Sequence, residues 1–326
     1  MNVSELGEFG LIERLAGLWR PTSAIVGIGD DAAAWRVGSL TVLATTDTLV
    51  ENVHFDPALM PWADVGWKAM AVNVSDIAAM GGEPQYALVT LALPPETPVG
   101  AVDELQSGMQ ECASEFDVEV VGGDIVRASE VSVTVALVGR GGEDDKGQQA
   151  LLRRDSARAG DSIAVTGTLG DSAAGLRRLK ARTPIVDPLV QRHVRPRPRV
   201  EEGELALRFG VTCAIDISDG LAQDVGHVCE ASGLGAVIQA PAVPTSRELR
   251  EAYPEEATAL ACCGGEDYEL ALVAPQETLR LLRAAAKTPI SVIGEMVEDP
   301  ERRVRLLDAS GAEMELPERG WDHLRA

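Results

Sequence analysis

Apolar residues recur along this chain at two spacings, and the spacing switches several times. Residues 40–46 and 86–93 are rich in β-branched and apolar side chains and predict strands. Between them, residues 67–80 place Met70, Val74 and Ile77 at the spacing of one helix face, and Gly81-Gly82 ends that helix. Residues 99–116 predict a second helix, and residues 118–121 and 131–138 two further strands. The order β-α-β-α-β-β predicts an α/β (α+β) layer with helices on one face of a mixed sheet.

Residues 141–158 are strongly polar, with only two leucines, and mark a boundary between two α/β units of similar size. The first domain is expected to cover 1–147 and the second 148–326. In the second, residues 162–166 predict a strand, 167–170 a turn, and the stretch to about Lys180 a helix. Residues 183–199, rich in Pro and Arg, read as a surface crossing. A buried strand over 211–217, a helix over 221–231 and strands over 268–273 and 290–293 follow. One local echo links the halves: Asn73-Val-Ser-Asp76 resembles Asp216-Ile-Ser-Asp219.

Composition narrows the function. Of 326 residues, 45% are apolar but only 4% aromatic, so an aliphatic core is expected. With 29 Lys and Arg against 51 Asp and Glu, the net charge is −22, which gives no general attraction for nucleic acid or for an anionic membrane. A phosphorylated ligand would need cations to bridge the like charges. Cys112, Cys213, Cys229, Cys262 and Cys263 form no C-x-x-C pair and read as core residues in a reducing compartment. Residues 1–15 contain no apolar signal core, and the uncharged stretch 231–246 is interrupted by Pro241 and Pro244, so a cytoplasmic chain is expected.

The common nucleotide and acyl-transfer signatures are absent: no G-x-x-x-x-G-K-[ST], no kinase H-R-D and D-F-G set, no G-x-S-x-G. Gly27-Ile-Gly29 runs into Asp30-Asp31, carboxylates that would repel a pyrophosphate. What the chain offers instead is aspartates beside glycines or at element ends: Asp30, Asp31, Asp47, Asp76, Asp124, Asp216 and Asp219. Each has a bland alternative. Asp219 before Gly220 suits a helix N-cap, Asp124 after Gly122-Gly123 a turn, and Asp30-Asp31 a solvated loop. Together, in apolar surroundings, they point to metal. Two carboxylates 4 Å apart repel by about 4 kcal/mol at an effective dielectric near 20, and an all-oxygen set suits Mg²⁺ better than zinc.

Seven motifs in order carry a family resemblance. They are G-I-G-D-D-A at 27–32, T-D-T-L-V-E-N-V-H-F at 46–55, K-A-M-A-V-N-V-S-D-I-A-A-M-G at 68–81, G-G-D at 122–124, V-T-G-T-L-G-D-S-A-A-G-L at 165–176, D-I-S-D-G-L at 216–221 and G-G-E-D-Y-E-L at 264–270. With the terminal Gly320-Trp321-Asp322-His323, they resemble the thiamine-monophosphate kinase family, within the aminoimidazole ribonucleotide synthetase-like superfamily. A reactive Cys near either end, which sibling families use, is not found. The chain departs from the family pattern at Asn52, where glycine is common.

The resemblance implies the two-domain fold of that superfamily, with N-terminal domains pairing into a β-barrel across a homodimer. It implies ATP as co-substrate, thiamine monophosphate as acceptor and several Mg²⁺ ions. Asp30, Asp31, Thr45, Thr46, Asp47, Asp76, Asp124, Asp216 and Asp219 match metal positions. Gly123, Asp124, Arg154 and Ser218 match ATP positions, and His54, Glu266 and Trp321 match substrate positions. Catalysis is then metal-assisted transfer with Asp47, Asp76, Asp124 and Arg154, and no residue acts as nucleophile.

Overall fold

The first half forms an open sheet with helices on one face only. A computed structural model describes residues 2–20, 22–314 and 324. Helix α1 (Val3–Ala16) leads into strands β1 (Ala33–Val37) and β2 (Leu40–Val50) and helix α2 (Trp62–Ala79). Strand β3 (Glu83–Leu93), helix α3 (Val99–Glu115) and strands β4 (Glu119–Arg127) and β5 (Ser132–Arg140) complete it. The order β1-β2-β5-β3-β4 is antiparallel except for the parallel pair β3/β4, so the sheet is mixed as expected. Helix α1 and strand β1 lie outside the predicted elements, and β2 runs four residues beyond its predicted end.

Side chains alternate across this sheet. Ala87, Val89 and Leu91 of β3 and Val133, Val135 and Leu137 of β5 are buried against α2 and α3. On the opposite face, Tyr86 and Leu88 remain about half exposed, and edge strand β4 leaves Val121 open and, on the helix side beside Leu91, Ile125. Among the described residues no closed barrel forms within one chain: β1 and β4 are the two separate ends of the sheet, and β1 is bridged on its outer side only at Ala34, to Val26.

After the short pair β6 (Gly142–Glu143) and β7 (Gln149–Ala150), the second half runs through β8 (Ser162–Thr166), α4 (Asp171–Lys180), α5 (Pro188–Val194) and α6 (Val200–Arg208). It continues through β9 (Cys213–Asp216), α7 (Leu221–Ser232), β10 (Gly235–Gln239), α8 (Arg247–Ala252) and α9 (Ala257–Cys263). Strand β11 (Leu270–Ala274), helix α10 (Gln276–Ala285) and strands β12 (Ile290–Val297) and β13 (Val304–Leu307) follow. The sheet order is β13-β10-β12-β8-β11-β9. Helices α7 and α9 pack on one face and α6 and α10 on the other, which is why β9 and β11 are buried throughout rather than alternating, with Asp216 the one charged residue in β9.

One prediction is corrected here. Within 183–199 the chain forms α5, with Leu189, Val190, His193 and Val194 buried, rather than a surface crossing. Asp187 caps it by accepting from Leu189 N and Val190 N, and Pro188 fits the first helical position, where no N–H is needed. Helix α2 is buried almost all round, because the first sheet, α3 and α6 of the second half enclose it. The four cysteines Cys112, Cys213, Cys229 and Cys262 are free and buried. No helix among the described residues is long and apolar enough to cross a membrane.

Candidate active site

The candidate carboxylates converge where buried helix α2 meets the end of β9. Oxygens of Asp31, Asp76 and Asp216 lie within 4.8 Å of one another. Asp31 comes from the loop after Gly29 (φ 119), Asp76 from the last turn of α2, and Asp216 closes β9. Thr45 Oγ1 donates to Asp76 Oδ2 at 2.5 Å, and Ser75 Oγ donates to Asp216 Oδ2 at 2.6 Å. The two echoing motifs of the sequence therefore touch: the serine of one binds the first aspartate of the other.

Arg154 opposes this group. Its Nη2 donates to Asp31 Oδ1 at 2.5 Å, and its backbone N–H donates to Asp30 Oδ2 at 3.3 Å. Burial alone would lower its pKa, but Asp31, Asp30 and Asp216 outweigh that and raise it. One guanidinium does not balance the cluster. Burial, then Asp47, Asp216 and Asp31, push the Asp76 carboxyl well above the usual range, and burial and Asp31 do the same to Asp216. Burial and Asp31 push Asp30 up to about 7. Carboxylates this crowded stay ionised together only beside further positive charge, and an all-oxygen donor set fits a hard divalent ion such as Mg²⁺.

A pH effect follows for chain stripped of divalent cation. Asp30 has its folded pKa raised from 3.8 to about 7, so the folded state binds the extra proton. Its contribution to stability is complete below about pH 4 and is lost as pH rises through about 7. With EDTA, the melting temperature should therefore be higher at pH 6 than at pH 8. Saturating Mg²⁺ should reduce or reverse that difference, and an unchanged difference would count against cation binding here.

The other predicted residues fall into three places. Asp47 faces α2, where its N–H donates to Asn73 Oδ1 at 2.9 Å and its charge helps raise Asp76. Thr46 is turned the other way, its Oγ1 donating to Val135 O within the sheet. Asp219 is not the helix cap that its position suggested. Gly220 is the N-cap with no side-chain cap bond, and Asp224, in the first turn of α7, reaches back to accept from Asp219 N and Gly220 N; Asp219 lies with Asp224 and His227 in a second acidic group. Ser218 O accepts from Glu266 N at 2.7 Å.

Gly123 and Asp124 stand apart from the cluster. Asp124 lies opposite Thr90 on exposed strand β4, on the uncovered face of the sheet. Asp47 pairs with buried Val135 and faces the other side, three strands away, or about 14 Å. A Cβ at Gly123 would come within 1.8 Å of Val89 O, so glycine is required there for strand packing.

The residues predicted for the substrate are His54, Glu266 and Trp321; Trp321 lies outside the described residues. His54 Nδ1 accepts from Val50 N at 3.0 Å, and the ring is near enough to Glu266 to help lower its pKa. Glu266 adopts φ 66, a left-handed conformation unusual for a side-chain-bearing residue. Its carboxylate pairs with Lys68 Nζ at 2.7 Å. Burial would raise its pKa, but Lys68, then His193, outweigh that and hold it below the usual range. A cavity of about 900 Å³ lies elsewhere, lined by Trp67, Arg195, Arg197 and Arg199. Those guanidiniums are paired with Asp64, Glu115 and Glu269, so it reads as a structural seam.

Known proteins place this arrangement. The N-terminal domain model of AIR synthase related proteins matches residues 29–141, and the C-terminal domain model matches 158–307. The thiamine-monophosphate kinase of Escherichia coli (strain K12) is 39% identical over 329 residues, 97% of this chain and 98% of its own. The chain belongs to the thiamine-monophosphate kinase family. The enzyme of that name from Aquifex aeolicus (strain VF5) is 39% identical over 284 residues, 85% of this chain and 89% of its own. A solved structure of AaThiL complexed with AMPPCP and TMP superposes with a TM-score of 0.87 at 36% identity, covering 99% of both chains. The E. coli hydrogenase maturation protein HypE, 22% identical with a TM-score of 0.69, shares the fold alone.

The family's departure at Asn52 is now explained. Asn52 adopts φ 61, the left-handed region that glycine favours and asparagine tolerates best among the rest. Sequence reasoning passed over Lys68, Asn73, Ser75, His193 and Asp224 as working residues. Lys68 carried a signal, a lone charge in the apolar run of α2. His193 carried none, since its helix was itself unrecognised.

Proposed function

We infer that this chain transfers the terminal phosphoryl group of ATP to thiamine monophosphate, giving thiamine diphosphate and ADP. The carrying observation is the buried Asp31-Asp76-Asp216 group opposed by Arg154, in a chain of this family. The neighbour holding AMPPCP and TMP supports both substrates.

The acceptor is a phosphate oxygen, already anionic at neutral pH, so no residue need act as general base. The chain's task is to hold two polyanions in line and offset their repulsion. Asp30, Asp31, Thr45, Thr46, Asp47, Asp76, Asp216 and Asp219 are the residues that would hold the cations. Mg²⁺ held by them would supply Lewis-acid neutralisation of the developing phosphoryl charge. Arg154, fixed by Asp31, adds a positive charge from the second half, and Ser218 takes the ATP side; Gly123, beside Asp124 on β4, would reach ATP only in the site of the other copy. His54, Glu266 and Trp321 take the thiamine side. Release of ADP in a coupled assay with thiamine monophosphate, against thiamine and a purine ribonucleotide as acceptors, tests this. Turnover with either alternative and none with thiamine monophosphate would refute it.

A homodimer belongs to the same reading. The exposed apolar positions Tyr86 and Leu88 on the open face, next to edge strand β4, suit a second copy of the same face closing the barrel. Asp124 lies on that face and would then serve the site of the other copy. Mixing inactive Asp124→Asn and Asp216→Asn chains should restore activity, since one hybrid site is then intact. No recovery on mixing, in a protein that light scattering shows to be dimeric, would place Asp124 in its own chain's site or in none.

A further inference from the structure

The loop before β11 spends each acidic residue differently. Asp267 accepts from Gly170 N and Ser172 N and so fixes the start of α4, and Glu269 pairs with Arg199 and with Thr166. Glu266 alone turns to a lysine that comes from the other half of the chain. Lys68, on α2, is wholly inaccessible, whereas the Glu266 side chain keeps 27% of its surface open. Lys68 Nζ makes no hydrogen bond of regular geometry, so this 2.7 Å ion pair is what compensates its burial. A methionine would fill the same space at less cost if packing were the only demand. On the other side, His193 Nδ1 lies 3.4 Å from Glu266 Oε2 and 3.1 Å from Ser172 Oγ. Both contacts fall on one ring nitrogen, so this is a brace and not a proton relay. The left-handed backbone at Glu266 and at Tyr268 (φ 51) is held by Glu266 N to Ser218 O and Tyr268 N to Ile217 O. A strained loop, pinned at both ends and charged at its open tip, is a preorganised contact.

We propose that Lys68 is a positioning residue for the acceptor: it fixes the Glu266 carboxylate, across the two halves, against the cationic or N–H-bearing ring end of thiamine monophosphate. This rests on Glu266 binding the acceptor, as read above. The test is a double-mutant cycle in the full chain with Lys68→Met, Glu266→Gln and the pair, measuring KM for each substrate, kcat and melting temperature. Lys68→Met should raise KM for thiamine monophosphate by about tenfold or more and leave KM for ATP within about twofold. The double variant should be no worse than Glu266→Gln alone, because Lys68 acts only through that carboxylate. If Glu266→Gln raises the acceptor KM but Lys68→Met does not, the inference about Lys68 is overturned and the reading of Glu266 stands. If Glu266→Gln leaves the acceptor KM unchanged, both fall. Should Lys68→Met fail to fold, the double variant, which leaves no unpaired charge, decides alone: a KM equal to that of Glu266→Gln supports the inference, and a further rise overturns it.

Discussion

Asp216→Asn should reduce turnover by about 100-fold or more while leaving the chain folded. Asp216 shares its pocket with Asp31 and Asp76, and burial with Asp31 raises its carboxyl well above the ordinary range. Asparagine keeps the shape and can still accept from Ser75, but it removes one of the negative charges that would hold Mg²⁺. Loss of a carboxylate at such a site withdraws charge stabilisation of the phosphoryl transfer, which is worth several kcal/mol. The opposite holds for stability without metal. Removing one charge relieves repulsion, so the EDTA-treated variant should melt at or above the parent temperature at pH 8. Near-normal kcat at ordinary Mg²⁺ would refute the role of Asp216. A lower metal-free melting temperature would mean that Asp216 is structural.

Gly108→Ala should destabilise the chain by about 3 kcal/mol or more, and Gly66→Ala similarly. Helices α2 and α3 touch at these glycines. A Cβ on Gly108 would fall 1.7 Å from Ala63 O, and one on Gly66 would fall 1.9 Å from Leu105 O. Both obstructing atoms are backbone, so no rotamer change relieves the clash and the helices must separate. Because α2 also carries Asp76, Ser75 and Lys68, activity should fall with stability. Chemical denaturation monitored by circular dichroism measures the loss. A change below about 0.5 kcal/mol would show that the two helices can shift without cost.

Much of this protein was determined by its sequence alone. From β2 onward, the strand and helix order of the first half followed from apolar spacing, because one-sided burial imposes a period on the chain; α1 and β1 did not. The aspartates were conspicuous because glycine and apolar neighbours surround them, where a lone carboxylate is costly. Seven ordered motifs carried the family. Tertiary structure decided the rest. Helix α5 was hidden because its burial comes from contacts with other helices, which leave no local period in a seven-residue segment. That Asp219 does not cap α7, and that Asp224 instead ties back the N–H groups of Asp219 and Gly220, depended on how the loop after β9 turns. Asp124 and Asp47 looked like equal members of one cluster, yet strand pairing places them on opposite faces of the sheet. Lys68 and Glu266 lie far apart in the chain, and their pairing exists only because α2 is enclosed between the two halves. Spacing along a chain reports which face a residue takes; which distant charge it meets is set by packing.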